Sequence, residues 1–179
     1  MRYLFLLAAI WPLSACWSGL PFYTAADAAP AIAEGVYRMS EAGSDMADGD
    51  RITIRQRADK SLSIEGGDHP MQALTIPLGS DYPGRFIVQL QKIDPASADR
   101  APKAMYLLLD NRDDKMLISI LPCDAETGAI VRAHGGSVAR DPQSAASCTF
   151  PSRALLHRQM LAVAAEPMDD QIELTKVTP

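Results

Sequence analysis

Polar and apolar residues alternate along much of this chain. Residues 51–57 read RITIRQR, with Ile52 and Ile54 on one side and Thr53, Arg55 and Arg57 on the other. A period of two marks a strand with one buried and one wet face. Residues 61–65 (SLSIE) repeat the pattern through Leu62 and Ile64, and the polar link Ala58-Asp59-Lys60 makes the two a hairpin. Residues 35–40 (GVYRMS) and 72–76 predict shorter strands, the second set off by Gly66-Gly67 and Pro77. In 85–93 (RFIVQLQKI), Phe86, Val88 and Leu90 oppose Gln89 and Gln91.

Two later segments are apolar on both faces. In 103–109 (KAMYLLL), Met105, Leu107 and Leu109 are backed by Tyr106 and Leu108. In 115–121 (KMLISIL), Met116, Ile118 and Ile120 are backed by Leu117 and Leu121. Strands of this kind need cover on both sides. Asp110-Asn111-Arg112-Asp113-Asp114 joins them as a polar hairpin loop. Residues 129–133 are read as one further strand. A single helix is expected after Ser152, whose hydroxyl is suited to cap it. Leu156, Met160, Val163 and Ala164 form its apolar stripe, and Pro167 ends it. That stripe is the candidate cover for the central hairpin. A last strand, 171–177 (QIELTKV), turns Ile172 and Leu174 inward.

These elements predict a mainly β protein with a minor helical part. Seven or eight antiparallel strands form a meander, curved or closed into a barrel, with one C-terminal helix and then a final strand. Closure buries one face of a meander and limits its open edges. The order of barrel strands, outer helix and short strand resembles that of lipocalins. Gly35-Val36-Tyr37 sits where that family has Gly-x-Trp, with Tyr37 in place of the Trp.

Ahead of the strands lies an apolar leader. Arg2 is followed by an uncharged run from residue 3 to 26, with an apolar core at 4–10. A basic start, a short apolar stretch and small residues are the parts of an export signal. Leu13-Ser14-Ala15-Cys16 resembles a bacterial lipobox, Leu-[Ala/Ser]-[Gly/Ala]-Cys. The resemblance implies a diacylglyceryl group on the Cys16 sulfur, cleavage before Cys16, and a palmitate-type acyl chain on the new N-terminus. Two other readings stay open. One is an ordinary signal cut at Ala26-Asp27-Ala28; the other is an uncleaved anchor, against which Pro12 and Pro21 argue by kinking the helix. The expected organisation is a signal peptide over 1–15, a lipid-anchored Ala/Pro-rich tether over 16–33, and a single β-rich domain over 34–179.

The leader changes how the cysteines read. There are three, Cys16, Cys123 and Cys148. If Cys16 carries lipid, an even pair remains, and in an oxidising compartment Cys123 and Cys148 are expected to form a disulfide. Closing that loop stabilises by roughly 3–4 kcal/mol on the chain-entropy model. Two buried free thiols are the alternative. Metal binding has little to draw on, since neither cysteine belongs to a C-x-x-C pair.

The net charge is −5, and loss of Arg2 with the leader makes it more negative. This argues against nucleic acid as a partner, which calls for clustered Lys and Arg. Residues with catalytic potential are scattered. His69, His134 and His157 form no metal-binding spacing. His134-Gly135-Gly136 resembles the oxyanion loops of esterases, without the G-x-S-x-G elbow that accompanies them. Asp45, Asp48 and Asp50 do not match a calcium loop. No cofactor, metal or catalytic set is predicted. The expectation is a non-catalytic binding or accessory domain, held on a bacterial membrane in the periplasm or at the cell exterior. Its partner would be an envelope protein or a small apolar ligand, with Tyr82, Tyr106, Phe86 and Phe150 as possible apolar contacts. The alternative is a hydrolase-type enzyme using His134 or His69 with a nearby carboxylate.

Overall fold

The computed structural model describes residues 17–42, 49–66, 70–93, 103–112, 115–139, 146–166 and 171–177. Eight strands close into an antiparallel barrel: β2 (Gly35–Glu41), β3 (Asp50–Gln56), β4 (Leu62–Glu65), β5 (Met71–Pro77), β6 (Arg85–Lys92), β7 (Ala104–Arg112), β8 (Lys115–Ile120) and β11 (Gln171–Lys176). Neighbours in sequence pair from β2 to β8. β11 then fits between β8 and β2, with Leu174 opposite Met116 on one side and Met39 on the other. The eight staves are those that alternation predicts. One difference from the lipocalin-like order is that the strand after the helix is itself a stave.

Each stave turns alternate residues inward. Tyr37, Ile52, Ile54, Leu62, Ala73, Val88, Leu90, Leu107, Leu109 and Leu174 form the buried barrel interior. The opposite residues of β5, β6 and β7 (Leu74, Ile76, Ile87, Tyr106 and Leu108) are also buried, in a second core outside the barrel. Central strands apolar on both faces therefore have the cover their sequence demands.

Three layers supply that cover. Helix α2 (Arg153–Ala164) buries Leu155, Leu156, Met160 and Ala164 against it, while Val163 is half-buried. Ser152 caps α2 as expected, its hydroxyl accepting from the Leu155 N–H at 3.3 Å. A short side sheet, β1 (Trp17–Gly19), β9 (Ser137–Ala139) and β10 (Ser147–Phe150), forks off β7. The fork arises because β8 pairs only from Leu107 onward; β1 takes the free edge of residues 104–106. Helix α1 (Ala125–Ala133) packs on β9 and β10, with Val131 fully buried.

Helix α1 corrects the strand expected at 129–133. Asp124 caps it, accepting from the Thr127 N–H at 2.7 Å. Glu126 in the first turn and Arg132 in the last both suit the helix dipole. The polar loop expected at 110–114 is also shorter than proposed. β7 and β8 stay paired out to Arg112 opposite Lys115, which leaves only residues 113–114 as the connection.

The larger correction concerns the expected tether at 16–33. From Trp17 onward this stretch belongs to the folded body, although the domain was expected to start at 34. Trp17 is 1% exposed, pairs with Tyr106 and Cys148, and donates its indole N–H to the Pro122 carbonyl at 3.0 Å. Tyr23, Ala28 and Ile32 are buried too. Ala and Pro content suggests a spacer, but the aromatic residues among them find a surface to cover. Gln89, on the face opposite Phe86, Val88 and Leu90, is buried beneath this segment. Its side-chain amide acts as a strand partner, accepting from the Tyr23 N–H at 2.9 Å and donating to the Tyr23 carbonyl at 3.0 Å.

Candidate functional site

The two ends of the barrel differ. One is plugged by the incoming chain. Ala29 pairs with Thr75 along the part of β5 that four-residue β4 does not reach. Asn111 donates its amide to the Ala31 carbonyl at 2.7 Å, and the Tyr37 hydroxyl donates to Ala33 at 2.8 Å. Ile32 closes the interior behind them.

At the other end the connections 43–48, 67–69, 94–102 and 167–170 lie outside the described residues. β2, β4, β6 and β8 finish there, and β3, β5, β7 and β11 begin there. A cavity of about 320 Å³ opens between β2, β3, β8 and β11. Met39, Ile120 and Ile172 line it with apolar side chains, and Ser40, Glu41, Asp50 and Gln171 with polar ones. The three apolar residues are half-buried, so they form a surface that the barrel itself leaves partly uncovered. Gln171 is fixed here, donating to Ser119 at 3.2 Å, while its main-chain carbonyl accepts from the Ala42 N–H at 2.9 Å. A small pocket lined by apolar side chains and a few polar groups has the form of a small-molecule site, at the lower end of the usual size range.

Cys123 and Cys148 are disulfide partners, with Cα atoms 5.3 Å apart. The bridge ties the segment after β8 to β10, beside Trp17. Cys16, His69, Asp45 and Asp48 lie outside the described residues. Asp50 lines the cavity. His134 is exposed at the end of α1, its Nδ1 2.9 Å from the Ile130 carbonyl of the same helix. His157 reaches the Tyr23 hydroxyl through Nδ1 at 3.4 Å. Tyr106 and Phe150 belong to the outer core. Phe86 packs inside the barrel and Tyr82 against the outer core. None of these four aromatics lines the cavity.

A second polar group lies on the outer wall and has a structural character. The Tyr106 hydroxyl donates to the Leu20 carbonyl and accepts from the Phe22 N–H at 3.1 Å. Burial raises its pKa, so it stays a neutral donor. Asp27 accepts from the Thr24 N–H at 2.9 Å and from Arg153 at 2.8 Å. The Thr24 hydrogen bond first, and then Arg153, hold its carboxyl below the ordinary range. Arg153 also lies over the Tyr23 ring, 4.5 Å from its centre. Together these groups pin the first strand and the chain after it to the wall.

Compared with known proteins, the chain matches no family model, no curated sequence and no solved structure.

Proposed function

We propose that this chain is a lipid-anchored protein of a bacterial envelope, whose barrel binds a small apolar molecule at the end opposite the plug without transforming it. The observation that carries the binding reading is the cavity of about 320 Å³ lined in part by Met39, Ile120 and Ile172, at the end of the barrel opposite the plug. Its lining combines apolar with polar side chains, which suits a ligand with an apolar body and a polar head. His134, which a hydrolytic alternative would use, is engaged at the last turn of its own helix.

The buried Trp17 supports the lipobox reading of the leader. Cleavage before Cys16 leaves β1 and every described core residue in the mature chain. Cleavage at Ala26-Asp27-Ala28 would remove Trp17 and Tyr23, both at most 3% exposed, and expose the outer core. Such a loss costs several kcal/mol per large side chain. The disulfide fits the oxidising side of a membrane.

The test is a titration of the mature protein with a fluorescent fatty acid, compared with Ile172→Glu. The wild type should bind saturably near one probe per chain, and the variant at least about tenfold more weakly, as expected for a charge placed against an apolar chain. Equal binding by both, with circular dichroism unchanged, would place the site elsewhere.

A further inference from the structure

Strand period places two carboxylates on the inward rows of the barrel at the end opposite the plug. In β2 that row runs Tyr37, Met39, Glu41, and in β3 it runs Ile54, Ile52, Asp50. Residues directly opposite on neighbouring strands share a face. Glu41 pairs with Ile172 of β11, and Asp50 pairs with Met39. Both carboxylates line the cavity together with Met39, Ile120 and Ile172. Each is exposed, so it costs the fold little, and it sets the sign of the field where the head of a bound molecule would lie. The cations nearby are placed elsewhere. Among the described residues no ion pair involves Asp50. Arg51 sits on the outward row of β3 with Thr53 and Arg55, opposite Arg38. Lys92 ends β6 and Lys103 precedes β7 at the same end of the barrel, and neither lines the cavity. By composition, the connections that begin and finish at this end, 43–48, 67–69, 94–102 and 167–170, add seven aspartates against one arginine.

We infer that the cavity takes an amphiphile whose head is an organic ammonium ion, its tail against Met39, Ile120 and Ile172 and its charge beside Glu41 and Asp50. The inference rests on the ligand-binding reading above and gives the head of that ligand one sign. A carboxylate head in the same place would meet two like charges, and a neutral head would gain nothing from them. Ser40 and Gln171, the other polar lining residues, are uncharged and can bond to either kind of head. A bare metal ion is a poorer match, because a hard cation calls for six or more oxygens. No group of three or more His, Cys, Asp or Glu suited to a metal occurs among the described residues. Exposure also bounds the size of the preference. A charge pair in contact with water contributes little, and exchanging attraction for repulsion at two such carboxylates amounts to about tenfold in affinity.

The experiment titrates the mature protein with dodecylammonium and with dodecanoate, one tail under opposite heads, by calorimetry at pH 7 and below the micelle concentration of each. Wild type should bind one dodecylammonium per chain, about tenfold more tightly than dodecanoate at low salt. The ratio should shrink toward one as salt is raised, since exposed charges are screened. Glu41→Gln combined with Asp50→Asn, with circular dichroism unchanged, should bring the two affinities together, while Asp50→Glu keeps the preference. Equal affinities in wild type, a preference for dodecanoate, or a preference that persists in the double variant would overturn the inference and leave the cavity standing as a binding site. A ratio that does not move with salt would overturn it as well, and that series needs no variant to fold. Dodecylammonium taken up at many sites per chain counts against it too. Binding of neither molecule would overturn the cavity reading itself.

Discussion

Replacing Trp17 by alanine tests whether the fold begins at residue 17 or near residue 34. The indole is 1% exposed, its ring centre lies 4.9 Å from that of Phe150, and its N–H bonds to the Pro122 carbonyl at 3.0 Å. Truncating a buried Trp to Ala costs about 3–5 kcal/mol through lost transfer energy and the cavity left behind. Leaving the Pro122 carbonyl without its donor adds about 1 kcal/mol. The expected loss of about 4–6 kcal/mol is a large fraction of the roughly 5–15 kcal/mol that holds a domain together. For a chain of this size it lowers the midpoint by about 10–20 °C. Trp17→Phe keeps an aromatic ring and should cost only about 1–2 kcal/mol. Urea and thermal unfolding of the oxidised mature protein, followed by circular dichroism, measure both. A Trp17→Ala protein within about 0.5 kcal/mol of wild type, the range of ordinary surface changes, would mean that residues 17–33 are a spacer after all.

Three further outcomes follow from the same structure. In a Gram-negative host, wild type should sediment with membranes and Cys16→Ser should stay soluble; equal partitioning would exclude acylation as the anchor. Under denaturing, non-reducing conditions neither Cys123 nor Cys148 should react with an alkylating reagent, and labelling of both would remove the disulfide. Asp27 has its pKa lowered by the Thr24 hydrogen bond and by Arg153, so its contribution to stability is present above about pH 4 and fades as pH falls through its lower folded value. Asp27→Asn should therefore lower the thermal midpoint at pH 7 and make less difference as the pH falls below the ordinary carboxylate range; an effect that does not shrink with falling pH would show that charge is not involved.

The barrel was legible because every stave has one face on the same interior. That requirement writes a period of two into segments of four to nine residues, as at Ile52 and Ile54 or Phe86, Val88 and Leu90. The double-faced segments around Tyr106 and Leu117 likewise announced a second covering layer. β1 and β9 have three residues, too few for alternation to appear, and β10 alternates only through Cys148 and Phe150. Helix α1 was hidden by the β-branched pair Ile130-Val131, although Asp124 and Glu126 carried its N-terminal signal. Gly128 in its interior reads as a breaker, yet it is buried within α1 on the side facing Val138 of β9.

The site was legible only in part. The inward direction of Met39, Ile120 and Ile172 follows from strand period, but their incomplete cover depends on where neighbouring staves end, which periodicity does not encode. The burial of Gln89 could not be read at all. Its polarity matches a solvated face as well as it matches the main chain of Tyr23, and only the packed segment decides between them.

Native mass spectrometry of the mature protein, released intact from the membranes in which it was made, tests the binding claim most directly. The account predicts one acyl-chain lipid held non-covalently per barrel, present in wild type and lost in Ile172→Glu. A wild-type barrel that emerges empty, or a lipid retained equally by the variant, would contradict it.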